Sequence, residues 1–270
     1  MRTLWLVATM FGLALLPFAY PACAQAVPLE EVIRRGRAHE AAGDSARDEA
    51  VRLSSRGERA AEAVRAEVEA YERAILDYTL AISLDSLSAE AYRLRALAQA
   101  KRDRDGNQEI VSGSDGVVGM VANFGPEAVE DADRAISLAP ADPQGHLVRG
   151  EILAMQFRNT WDIYTGMPEG TFGRSMMKPD PALANGAIDS YSRAVELDPG
   201  SCQALAEIGR VYFLGFKFEG ALDYFTRAEG CGLAQDPGLL ERLTEIAAQP
   251  SAFFPSSMLD EFEIRYPPGR

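Results

Sequence analysis

Ser175-Met176-Met177-Lys178 reproduces the Ser-x-x-Lys pattern in which a lysine activates a serine hydroxyl for acyl transfer. Ser114-Asp115-Gly116 echoes a second motif of the same chemistry. The set stays incomplete. No Lys-Thr-Gly occurs, and Ser175 belongs to an insert between helices instead of opening a core helix. His39 and His146 are the only histidines, and each falls on a helix face that needs a space-filling residue, so both are read as packing groups. No Cys or His cluster has ligand spacing, so no zinc site is expected. Asp103, Asp105 and Asp115 are loosely spaced and lack the closing glutamate of a calcium loop. The expectation is a protein without catalysis, cofactor or metal.

The remaining bulk signals concern compartment and charge. Met1-Arg2-Thr3, the apolar run Leu4 to Leu16 and the small residues Ala22-Cys23-Ala24 read as the three regions of a secretory signal peptide over residues 1–24. The run is too short for a bilayer span, which needs about 20 residues. A lipidated Cys23 is disfavoured because Tyr20-Pro21-Ala22 precedes it. Export to a bacterial periplasm or the cell exterior, without stable membrane insertion after cleavage, is the expectation. Net charge is −13, and the acids are concentrated beyond residue 104, where 25 acids face 12 bases. That field repels phosphate backbones, which argues against nucleic-acid partners.

The elements that position any site repeat. Ala187, Tyr191, Ala194 and Pro199 are matched by Ala221, Phe225 and Ala228 at a spacing of 34 residues. Ala128, Ala132, Ala135 and Pro140 repeat this second-helix pattern, as do Ala74, Tyr78 and Ala81. First helices are marked by Arg35-Gly36, Arg95-Ala96, Arg149-Gly150 and Ile208-Gly209. Alternation of small and large residues at helical spacing is what close helix pairs require. The pattern resembles the tetratricopeptide repeat (TPR), and the last copy carries the glycine punctuation of the Sel1-like relatives. The resemblance implies an all-α, right-handed solenoid of about four helical hairpins over residues 28–248.

Spacing also exposes insertions. A bare repeat puts the second-helix alanine 19 residues after the first position, as from Cys202 to Ala221, yet three earlier repeats exceed this by 26, 20 and 25 residues. The inserts fall at about 44–70, 104–125 and 158–182, all at the turn inside a repeat, so they are expected side by side. The first is Ala-, Arg- and Glu-rich and is expected to lengthen the second helix backwards, with Gly43-Asp44 stopping the first. The other two read as Gly- and Pro-punctuated loops carrying apolar and aromatic groups. Residues 249–270 form a tail expected to pack on the last helices.

In this family the first helices line a concave groove, and the positions matching groove-facing ones are Arg37, Arg93, Leu97, Leu147, Glu151, Arg210 and Phe213. Trp161, Tyr164 and Phe172 in the third insert add candidate anchors. The chaperone-tail clamp is absent, because Ile33, Leu94 and Val148 occupy places it needs. Cys202 and Cys231 fall at ends that an antiparallel helix pair brings together, so a disulfide is expected. The expected role is a non-catalytic scaffold or adaptor binding protein or peptide in the groove and along its insert-built edge. The alternative is a small-ligand pocket walled by the inserts.

Overall fold

A computed structural model describes residues 27–106, 108–112, 118–166, 180–236, 238–254, 264 and 265; for 108–112, 118–121 and 161–166 the backbone alone is described. The helices are α1 (Leu29–Ser55), α2 (Ala61–Leu84), α3 (Ala89–Gly106), α4 (Glu127–Leu138), α5 (Pro143–Gly166), α6 (Pro181–Leu197), α7 (Cys202–Leu214), α8 (Phe218–Cys231) and α9 (Leu239–Ala248). Each packs on its neighbour in sequence, and α3, α5 and α7 also touch in succession. A stack in which hairpins meet mainly the next hairpin is an all-α solenoid.

Glycine against a flat ring sets the distance between paired helices. A Cβ on Gly36 would lie 2.5 Å from the Tyr78 ring, one on Gly150 2.8 Å from Tyr191, and one on Gly209 3.1 Å from Phe225. The second hairpin uses small residues on both sides, with Ala96 and Ala132 in one buried cluster. Directly before three of these four positions lies a polar clip. Arg35 Nε donates to Asp77 at 2.8 Å, and Arg95 grips both oxygens of Asp131 at 2.7 and 2.8 Å. In the third hairpin Arg149 reaches the Ser190 hydroxyl at 2.9 Å and Asp133 of α4 at 2.7 Å. The fourth places buried Ile208 and Tyr224 at these two positions.

The first insert differs from its expected form. Gly43 does not stop a helix: α1 runs on to Ser55, and α2 begins at Ala61, so both helices lengthen. Gly43 has a different duty, because a Cβ there would lie 2.6 Å from the Tyr71 ring. Gly43 and Tyr71 each lie seven residues from Gly36 and Tyr78, so the glycine–ring contact recurs two turns further along the same pair. The second insert is no simple loop. It extends α3 to Gly106 and then forms an antiparallel hairpin, β1 (Gln108–Ser112) with β2 (Val118–Ala122), paired Gln108 to Ala122 and Ser112 to Val118. The β-branched residues Ile110, Val111, Val118 and Val121 suit strands, and Gly113 and Gly116 lie between the two strands in sequence. In the third insert α5 continues to Gly166, while residues 167–179 lie outside the described set. Asp180 caps α6, its side chain accepting from Ala182 N at 2.8 Å ahead of Pro181 at the first turn.

Inserts one and two do meet. Arg47 of α1 pairs with Asp105 of α3, Arg104 reaches Glu67 of α2 at 3.1 Å, and Gly106 lies against Val68. The hairpin leans on the next unit, where Asn159 Nδ2 donates to the Ala122 carbonyl at 3.5 Å. At the far end Cys202 and Cys231 form a disulfide that ties the start of α7 to the end of α8. Within the tail, Ile264 is buried against Gly215, Tyr212 Oη donates to the Arg265 carbonyl at 3.0 Å, and Arg265 N donates to Asn185 at 2.9 Å. Phe254 stacks on Phe218 with centroids 5.2 Å apart.

Two glycines separate crowding from backbone freedom. Gly150→Ala forces its methyl into Tyr191, and a loss of about 1–3 kcal/mol is expected from overpacking. Gly230→Ala meets no atom within 4 Å and should gain roughly 0.5–1 kcal/mol. Urea unfolding of both variants checks the contrast, and equal shifts would contradict it. Reduction, or Cys202→Ser with Cys231→Ser, should remove about 3–4 kcal/mol by freeing the closed loop in the unfolded chain. Thermal melts with and without reductant measure this, and an unchanged midpoint would refute it.

Candidate functional site

Successive first helices bring their exposed faces together on one side of the stack. There, side chains of α3, α5, α6 and α7 enclose an open cleft of about 390 Å³. Ala154, Met155, Phe213 and Leu214 supply apolar surface, with Arg104, Glu151, Arg158, Glu207 and Arg210 as charged groups and Tyr191 as a wall.

Three of the positions expected to face the groove, Glu151, Arg210 and Phe213, line this cleft together. The others are distributed. Arg37 is exposed and paired with Glu90 of α3. Arg93 is half-buried, and its Nε has no hydrogen-bond partner among the described residues. Leu97 packs on the middle core cluster and Leu147 on the C-terminal one, so both serve packing as much as any groove. Trp161 and Tyr164 belong to the last turns of α5, with side chains outside the described set, and Phe172 lies outside it entirely. Ser175, Lys178 and Ser114 also lie outside the described residues. His39 is not merely a filler, since its Nδ1 lies 2.9 Å from Asp77 Oδ2. His146 is half-buried, and burial, with Arg193 and Arg149 nearby, holds it below the usual histidine range. Asp103 is buried and accepts from Gly125 N at 3.1 Å, while Asp105 is held by Arg104 and Arg47.

Several lining residues escaped the sequence reading although their spacing announces them. Met155 and Arg158 follow Glu151 by four and seven residues, Glu207 precedes Arg210 by three, and Leu214 follows it by four, which puts each on the same helix face. Tyr191 was assigned to packing alone. It does pack against Gly150, yet its hydroxyl is buried without a hydrogen-bond partner among the described residues.

Electrostatics differ along the groove. At one end Lys101 joins Glu40 and Asp44, both at 2.9 Å, while Tyr78 Oη donates to Glu40 at 3.0 Å and Tyr71 Oη to Asp44 at 2.8 Å. Burial opposes the charge on Lys101, but Glu40 and Asp44 outweigh it and hold the ammonium above the ordinary lysine range. In the cleft Arg210 pairs with Glu207. Glu151 has no hydrogen bond or ion pair among those described, and burial pushes its carboxyl above the usual range, with Glu207, Glu40 and Asp44 adding to the effect against Lys101. Tyr191 is raised by burial and then by Glu207 and Glu151.

Beneath the groove edge, Glu67 is 1% exposed and shares Arg104 and Arg47 with Asp105. Asp105 takes the shorter contacts. Burial and the neighbouring Asp105 charge push Glu67 up to about 7. A proton on Glu67 then bridges the two carboxyl groups.

A crystal structure of MamA is 18% identical, covering 76% of this chain and 95% of that chain, with a TM-score of 0.39. A second MamA crystal structure is 17% identical over 76% of this chain and 99% of its own, at 0.37. The MamA RS-1 ArsTM double mutant follows at 16% identity, 72% and 97% coverage and 0.23. Similarity at this level adds nothing about function, and the solenoid stands on its own helices. No family model matches the sequence, and no curated protein matches it.

Glu67 makes stability fall as pH rises. Between the ordinary glutamate value and about 7 the folded chain keeps a proton that the unfolded chain has lost, so folding weakens across that window. Glu67→Gln, a fixed mimic of the protonated acid, should flatten the dependence. Melting temperatures from pH 5 to 8 check this, and a wild-type profile that rises through the window would contradict it.

Proposed function

We propose that the chain is an exported, non-catalytic scaffold that binds extended protein or peptide segments in the groove formed by its first helices, with the hairpin and the lengthened α5 forming one edge. The cleft carries this reading. Half of its ten described lining residues are charged, of both signs, around an apolar patch, and it is open to solvent. Polypeptides present backbone, apolar and charged groups in alternation, and such a surface suits them. A small-molecule cavity is more enclosed and mostly apolar. The volume is sufficient for a small ligand, which keeps that alternative open to the same test.

Export is supported by the charged, apolar and small-residue succession of residues 1–24 and by a disulfide suited to an oxidising compartment. No described helix is long and apolar enough to cross a membrane. In this reading no reaction is catalysed, and the rigid stack holds its surface in one shape for a partner.

Panning a displayed peptide library against the oxidised protein tests the groove. Enriched peptides should lose at least tenfold in affinity for Phe213→Ala and Arg158→Glu, measured by fluorescence polarisation, and keep it for Glu219→Lys on α8. Peptides indifferent to the cleft variants, or no enrichment, would reject the groove. Export is checked by the mature N-terminus: a chain beginning at Gln25 in the envelope or medium is expected, and intact Met1 in the cytosol rejects it.

A further inference from the structure

Among the cleft side chains, Glu151 is the one whose state is costly. Arg158 is exposed on the rim, where water solvates it at little cost, Arg210 is matched by Glu207, and Arg104 is matched by Glu67 and Asp105. Glu151 is half-buried with no bonded partner among those described, and its burial pushes the carboxyl above the usual range. A carboxylate in that position lacks the hydrogen bonds that normally offset burial. Beside it, the Tyr191 hydroxyl, in a residue only 2% exposed, likewise lacks a partner. The carboxyl groups of Glu151 and Glu207 are the acids that act most on this hydroxyl. Glu151, the Tyr191 hydroxyl and Glu207, which meets Arg210 through one of its two oxygens, therefore line the same open cleft as acceptors. An ammonium has three donors and no acceptor, and a guanidinium has five donors.

Resting on the reading of the groove as a polypeptide-binding surface, we infer that the cleft receives the cationic head of a lysine or arginine from a partner chain, held by Glu151, the Tyr191 hydroxyl and Glu207. The aliphatic stem of such a side chain would lie on Met155, Phe213 and Leu214, which line the same cleft. Guests of the opposite charge fit less well. An incoming carboxylate would find Arg158 on the rim but would meet Glu151 and Glu207 inside the cleft and leave Glu151 unanswered. The wider field agrees, since the chain carries a net charge of −13, and Lys101, the charge that acts most on Glu151, is itself held by Glu40 and Asp44, which act on Glu151 in the opposite sense. A polypeptide, unlike a free amine, can follow that row of acids beyond the cleft.

The probes are four pools of short peptides, randomised except for a central lysine, arginine, glutamate or norleucine, with spermidine as a free polyamine competitor. Norleucine keeps the lysine stem and lacks its charge. On the oxidised full chain, the lysine and arginine pools should bind at least tenfold tighter than the norleucine and glutamate pools. Glu151→Gln should shrink that gap below threefold. Tyr191→Phe should weaken the basic pools severalfold while leaving the fold intact, because the lost hydroxyl has no partner among the described residues. Glu241→Gln on α9 changes net charge equally and should have no effect, which separates a site from general attraction. If norleucine matches lysine, the inference fails while the groove remains a peptide surface. Preference for the glutamate pool, with loss on Arg158→Ala, also overturns it. Spermidine competing at the affinity of the basic pools rejects a polypeptide source, and no binding by any pool removes both readings.

Discussion

In three of the four helix pairs a glycine backbone is laid on an aromatic face, and the rest of the stack is built around that contact. Gly36, Gly150 and Gly209 let the first helix of a pair come within reach of Tyr78, Tyr191 and Phe225. A methyl group there would force the pair apart, because interiors at crystal-like density have no slack to absorb it. In the first two pairs Arg–Asp clips sit one residue before the close contact on both helices. They can reach only because the backbones are already near. With spacing and rotation fixed in each pair, the outer faces of α3, α5 and α7 are left to form a common surface.

One of these packing contacts is also part of the cleft. Tyr191 packs its ring on Gly150, and its hydroxyl lines the same cleft as Glu151, the residue that follows that glycine. A filler chosen as phenylalanine, as in the fourth hairpin, would pack as well. The hydroxyl is thus surplus to the packing, which is why its chemistry is informative. The first hairpin makes the opposite use of the same atom, since Tyr78 and Tyr71 give their hydroxyls to Glu40 and Asp44 and draw Lys101 into a closed network.

Much of the solenoid was legible because repetition samples the same constraint several times. Small residues before aromatic ones at fixed spacing identify helix pairs whatever the surface carries. The inserts were located by the same ruler, but their form was not. Gly43 reads as a helix stop in isolation, and only the position of Tyr71 across the pair reveals it as a second close contact. The hairpin was missed because glycines that permit a strand turn also permit a loop. Glu151, Arg210 and Phe213 were found from their register, whereas Tyr191 and Arg104 were not, because a groove is assembled from helices that sequence spacing cannot place side by side. The Arg–Asp clips were visible as recurring arginines before Gly36, Ala96 and Gly150, yet the partner acids carry no signal until the helices are paired.

The hairpins are not closed by the same kind of force from one end to the other. Ionic clips serve the first two, an arginine–hydroxyl contact the third, and the fourth has an apolar pair with a covalent bond across its ends. In a linear array whose units lean mainly on their neighbours, local stabilities set the direction of fraying. Dissolved salt screens the partly buried clips only in part, the Arg35–Asp77 pair with its exposed guanidinium the most, and leaves the disulfide untouched. Raised ionic strength should therefore loosen the array from its amino-terminal side while the last hairpin holds. Amide exchange would show this as protection rising along the chain, and uniform protection at high salt would refute it.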